Sequence, residues 1–140
     1  MKGGGQNTDH GTINDVRVLS VRRAGDTAVH LLEAGQDWGP GTAVTQVVDW
    51  DRRWDNMQQH SGQHLLSAIL ENEHKTNTLS WWLAESSASK VGVSYIELDK
   101  PVTEATLAAV QERCNEVIRD ARPVSVVTYN VGDPELDKVS

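Results

Sequence analysis

Residues 54–72 read Trp54-Asp55-Asn56-Met57-Gln58-Gln59-His60-Ser61-Gly62-Gln63-His64-Leu65-Leu66-Ser67-Ala68-Ile69-Leu70-Glu71-Asn72. Met57, Ser61, His64, Leu65, Ala68 and Ile69 recur at helical spacing, which predicts a helix with these residues on one face. His60 and His64 stand at i and i+4, so two imidazoles project from one face and can share a metal ion. Neutral imidazole suits zinc. A zinc peptidase helix would carry a glutamate after the first histidine; here that position is Ser61, which weakens a metalloprotease reading. On spacing alone, two ordinary helix histidines are the better reading. Gly62 costs about 0.8–1.0 kcal/mol against alanine in a helix interior. Either something approaches the backbone closely there, or the helix simply bears the cost.

Toward the N-terminus, residues 3–11 (Gly-Gly-Gly-Gln-Asn-Thr-Asp-His-Gly) have the composition of a loop. Thr12 to Arg22 alternates and predicts a strand, with Asp26 to Glu33 as its hairpin partner across Ala24-Gly25-Asp26. Trp38-Gly39-Pro40-Gly41 marks a turn, and the β-branched stretch Thr42 to Trp50 predicts a third strand. Toward the C-terminus, Thr78 to Ala84 and Val91 to Leu98 predict two strands joined by a loop over Ser86-Ser87-Ala88-Ser89. Thr103 is a plausible N-cap. Leu107, Val110, Cys114, Val117, Ile118 and Ala121 form a helical stripe that Pro123 ends. Val124 to Tyr129 predicts one more strand. The order implies an α+β fold: a small β lobe over residues 1–50, then a two-layer α/β sandwich over residues 51–140 with a mainly antiparallel sheet.

The chain has 140 residues, of which 38% are hydrophobic and 24% charged, enough for one compact core. No apolar run is long enough to span a membrane. The start, Met1-Lys2-Gly3-Gly4-Gly5, does not resemble a signal peptide. A single cysteine makes no internal disulfide, so a cytoplasmic location is the expectation. The formal net charge of −7 argues against non-specific nucleic-acid binding. Arg22-Arg23, Arg52-Arg53 and the series Arg113, Arg119, Arg122 are local basic clusters, read on charge patterning as solvated surface residues.

Taken in order, the residues form a pattern. Gly4-Gly5-Gln6-x-x-Asp9-x-Gly11 is followed by Arg53, by Met57-Gln58-Gln59-His60-Ser61-Gly62-Gln63-His64-Leu65-Leu66, and by Ser80-Trp81. Ile96-Glu97-Leu98-Asp99, Asn115-Glu116-Val117-Ile118 and Arg122-Pro123-Val124 come next. This closely resembles the freestanding alanyl-tRNA editing proteins of the AlaX type, which are related to the editing domain of alanyl-tRNA synthetase. The resemblance implies hydrolysis of mischarged alanine tRNA carrying serine or glycine. It also implies a zinc ion near the terminal adenosine, with His60 and His64 as two of its ligands. Gln6 would act beside the substrate, and Gly4 and Gly5 would let the backbone approach it. Aminoacyl esters are labile, so positioning of water and stabilisation of the developing oxyanion would carry much of the catalysis.

The family completes its zinc site with a Cys-x-x-x-His element. The sequence ends at Ser140 before such an element arrives and begins almost inside the glycine loop, so the resemblance implies a chain cut at both ends. Cys114 does not replace the element, because position 118 is Ile and Cys114 sits on an apolar stripe. Of the other nitrogen sources, His30 is expected in a strand and His74 just past the helix. His10, nearest the glycine loop, is the one to watch. The expectation is an impaired deacylase. The alternative is a non-catalytic remnant that binds tRNA or a protein partner. Adjacent strand residues face opposite ways, so at most one of Trp81 and Trp82 lines a pocket, and core packing is the expected role of the inward one.

Overall fold

A computed structural model describes residues 5–33, 35–84 and 92–136. The order is β1 (Gly11–Ile13), β2 (Val16–Ala24), β3 (Thr27–Leu32), β4 (Gln46–Val48), α1 (Trp50–His74), β5 (Thr78–Trp82), β6 (Tyr95–Leu98) and α2 (Glu104–Arg119). Strands β3-β2-β1-β4 form one antiparallel sheet, and β5-β6 form a second. The fold class is α+β, as the sequence implies.

The predicted strand from Thr12 to Arg22 is two strands. Asn14 and Asp15 both take positive φ, 45° and 64°, between Ile13 and Val16. Two such residues make the hairpin turn whose twist matches its strands, and Asn and Asp tolerate that region best after glycine. Asn14 also receives a hydrogen bond from the Thr45 backbone N–H through Oδ1, at 2.8 Å, and donates its own N–H to Thr45 O. The predicted strand from Thr42 to Trp50 therefore shrinks to Gln46–Val48: Thr45 meets the turn, and Asp49 becomes the N-cap of α1, accepting from Arg52 N. Gly11 permits the close β1–β4 pairing, because a Cβ there would lie 2.1 Å from Val47 O at a φ of +152°.

Helix α1 runs further than predicted in both directions, with His74 its last residue rather than just beyond it. Its buried face also differs. Asn56, Gln63, Ser67, Ile69 and Leu70 are buried, whereas Ser61, His64 and Ala68 are exposed. Hydrophobicity alone misplaces the face here, because the inward stripe carries three polar residues. Leu70, Ile69 and Val110 form the core, flanked by Leu65, Leu66, Ile96, Leu98, Val102 and Cys114. Thus α1 packs against both α2 and the β5-β6 pair.

Thr103 caps α2 as predicted, accepting from Thr106 N. The predicted stripe on α2 is buried in part only: Val110 is buried, while Leu107 and Ile118 are exposed and Ala121 lies past the helix with φ 47°. The predicted strand from Val124 to Tyr129 does not form. These residues pair with no strand among the described residues, and Val124 and Val126 are 97% and 93% exposed. β-Propensity mostly reflects a fit to neighbours on a sheet, and no neighbour among the described residues presents an edge to them. The loop predicted over Ser86 to Ser89 lies outside the described residues.

Candidate functional site

The site forms where the glycine loop crosses α1 and β5. Four of its residues are anchored. Asn7 donates through Nδ2 to the carbonyls of Leu83 and Ala84, both at 3.3 Å. Asp9 takes a two-pronged contact from Arg53, Nε at 3.0 Å and Nη2 at 2.6 Å. The Arg52 guanidinium donates to Thr8 O, and Asp49 N donates to His10 O. The Arg52-Arg53 cluster, read from sequence as solvated charge, is thus a latch for the loop. Arg53 beside Asp9 is held above its ordinary pKa, first through the hydrogen bond and then through the charge. Four of the other clustered arginines also meet carboxylates: Arg23 with Asp26, Arg113 with Glu73 and Glu116, Arg119 with Glu112, and Arg122 with Asp120.

The loop then passes over Trp81. Gly5 takes φ +68°, and a Cβ on it would stand 1.9 Å from Trp81 Cη2. An indole ring of the protein itself thus lies close against this glycine. Gly4 lies outside the described residues. Gln6 comes to rest on α1, with Oε1 3.1 Å from His60 Nδ1. Trp81 is the inward member of its pair. It is half-buried, with its ring centroid 5.5 Å from that of His60, while Trp82 is exposed beside Tyr95. Its role joins packing with lining.

His60 and His64 converge. Their Nε2 atoms are 3.2 Å apart, with ring centroids at 4.9 Å. Partial burial, and then the neighbouring His64, push His60 below the ordinary histidine pKa, which favours neutral imidazole. Two nitrogens each about 2.0–2.1 Å from a tetrahedral zinc stand roughly 3.3–3.4 Å apart, so this spacing suits a shared metal. Among the described residues, no group of three or more His, Cys, Asp or Glu is placed to hold a metal ion. His10 and His30 therefore complete no such group, and neither does Cys114, which packs beside the core. Burial, and then Glu73, raise the Cys114 thiol pKa.

A pocket of about 380 Å³ opens beside His64, lined by Gln63, Ser67, Ala68, Glu71, Thr78, Leu79 and Trp81. Thr78 donates through Oγ1 to Ser67 Oγ at 2.8 Å, and Gln63 Nε2 donates to the same oxygen at 3.1 Å. Sequence reasoning missed this cluster, because polar residues on the buried stripe of a helix give no hydrophobic signal. Among the described residues nothing lies within 4 Å of a Cβ placed on Gly62, so no described backbone explains that glycine.

No family model matches the chain. It is similar to the alanyl-tRNA editing protein Aarsd1 of Bos taurus, 45% identical over 139 residues, covering 99% of this chain and 30% of that protein. The Aarsd1 protein of Danio rerio is 41% identical over 139 residues, 99% of this chain and 32% of its own length. An alanine–tRNA ligase of Ignicoccus hospitalis is 32% identical over 139 residues, 96% of this chain and 15% of the ligase. The chain spans about a third of the length of the editing proteins it matches. The glycine loop, the latch and the paired histidines thus lie on a chain that is similar, along nearly its whole length, to about a third of proteins named for alanyl-tRNA editing.

Proposed function

We propose that this chain carries a deacylase site that hydrolyses the ester of mischarged alanine tRNA, with serine or glycine as the amino acid removed. The observation that supports this most is the convergence of His60 and His64 at 3.2 Å beside a pocket large enough for a small acyl group. The likeness to proteins named for alanyl-tRNA editing supplies the substrate class.

His60 and His64 are the residues that would hold zinc. When bound, zinc would supply Lewis-acid charge at the ester carbonyl. The chain's own residues do the rest. Trp81 covers one side of His60 and limits water there. Ser67, Thr78 and Gln63 give the pocket a polar lining close to His64, suited to an amino acid bearing a hydroxyl. A site built to hydrogen-bond a hydroxyl discriminates well against the analogue lacking it.

The test is release of amino acid from seryl-, glycyl- and alanyl-tRNA(Ala) by this chain with added zinc. Faster release of serine or glycine than of alanine supports the proposal. The second reading, a non-catalytic binder of tRNA or protein, draws on the lack of a third metal donor among the described residues. Retention of labelled tRNA without any ester cleavage would select it.

A further inference from the structure

We infer that Gln6 is a positioning residue, whose side-chain carbonyl holds the His60 proton on Nδ1 and so leaves the Nε2 lone pair aimed at His64. The inference rests on the proposed site and goes beyond it, since it assigns Gln6 to the histidine rather than to the substrate.

The geometry carries the argument. His60 Nδ1 lies 3.1 Å from Gln6 Oε1. A carbonyl oxygen only accepts, so that contact needs Nδ1–H. A neutral imidazole has one N–H, so Nε2 of His60 is then a bare acceptor. It lies 3.2 Å from His64 Nε2, and that contact needs one proton. His64 must provide it. The two histidines therefore hold opposite tautomers: Nδ1–H on His60 and Nε2–H on His64. For a metal to share the pair, only His64 would have to move its proton, from Nε2 to Nδ1, because His60 already presents its Nε2 lone pair. An outer partner on the distal nitrogen of a ligating histidine fixes both tautomer and ring orientation.

Gln6 is held in place for this role from both sides. Before it, Gly5 lies against the Trp81 ring with no room for a side chain. After it, Asn7 is tied to Leu83 and Ala84, and Asp9 to Arg53. Trp81 also flanks His60, so one indole sets both the height of the loop and one side of the imidazole.

The experiment records long-range ¹H–¹⁵N imidazole spectra of the metal-free chain, at a pH well above the ordinary histidine value, for wild type, Gln6→Leu and Gln6→Glu. Wild type and Gln6→Glu, which both retain an acceptor, should show His60 as Nδ1–H and His64 as Nε2–H. Gln6→Leu should move His60 toward Nε2–H, with the backbone spectrum otherwise preserved. In competition with a chelator, zinc alone should bind Gln6→Leu about ten- to a hundredfold more weakly than wild type. A wild-type His60 found as Nε2–H, or an Nδ1–H form unchanged in Gln6→Leu, overturns the inference. Zinc affinity of a His60→Ala variant decides the underlying metal reading separately. If it equals wild type, that reading fails, while the tautomer spectra still decide the role of Gln6.

Discussion

Gly5 and Trp81 fit each other so closely that a single methyl group separates the native loop from a collision: a Cβ on Gly5 would lie 1.9 Å from Cη2 and 2.6 Å from Cζ2 of the indole. The φ of +68° adds a second reason for glycine, since side chains are disfavoured there. Gly5→Ala should therefore displace the loop and lower deacylation. The double variant Gly5→Ala, Trp81→Ala should recover part of the stability loss, with a coupling of about 0.5–3 kcal/mol in a double-mutant cycle. Strict additivity in denaturant unfolding would contradict the contact.

Leu70 and Val110 are each 1% exposed and join α1 to α2. Leu70→Ala should cost about 2–5 kcal/mol. That is a large share of the roughly 5–15 kcal/mol typical of a small domain. Thr103→Ala removes the α2 cap and should cost about 1 kcal/mol. Urea midpoints of the two variants should rank in that order, and the reverse ranking would move the core elsewhere.

Gln63 carries a buried carbonyl, Oε1, with no hydrogen-bond partner among the described residues, while its Nε2 donates to Ser67. A buried acceptor left unmade costs about 1–3 kcal/mol. Gln63→Met, of similar length, removes the orphan and should leave stability unchanged or raise it by about 1 kcal/mol. A clear loss of stability in thermal unfolding would show that the orphan is satisfied in solution.

His60 titrates below its ordinary value in the fold, through burial and then through His64. The unfolded chain keeps a value near 6.5. Between the folded and unfolded values the unfolded chain binds more protons, so stability rises with pH across that window. The contribution is present above the unfolded value and lost as pH falls through the folded one. Metal-free wild type should therefore lose more stability than His60→Gln between about pH 7 and pH 5. Parallel melting curves for the two proteins across that range would count against it.

How far the sequence discloses this molecule differs by element. The i, i+4 spacing of His60 and His64 is enough to place both on one face, and the structure brings their Nε2 atoms together. The hairpin at Gly25 and the Thr103 cap are likewise local and legible, because turn and cap chemistry depend on few neighbours. The Asn14-Asp15 turn has a weaker signature: Ile13 and Val16 stand three apart, a break in the two-residue alternation, but neither turn residue is the glycine that commonly marks such a hairpin. The inward face of α1 was hidden because Asn56, Gln63 and Ser67 occupy it. The strand expected at Val124 to Tyr129 illustrates the converse: a β-branched run needs a partner edge, which no propensity supplies. The loop latch by Arg53 and Asp9 spans 44 positions and has no local signature at all.

The most direct measurement of the central claim is hydrolysis of seryl-tRNA(Ala) by this chain with added zinc, beside the His60→Ala, His64→Ala double variant. The paired-histidine account predicts ester cleavage by the wild type and a rate indistinguishable from the uncatalysed reaction for the double variant. Equal rates for the two proteins would contradict it, and would place any activity elsewhere than at the two converging imidazoles.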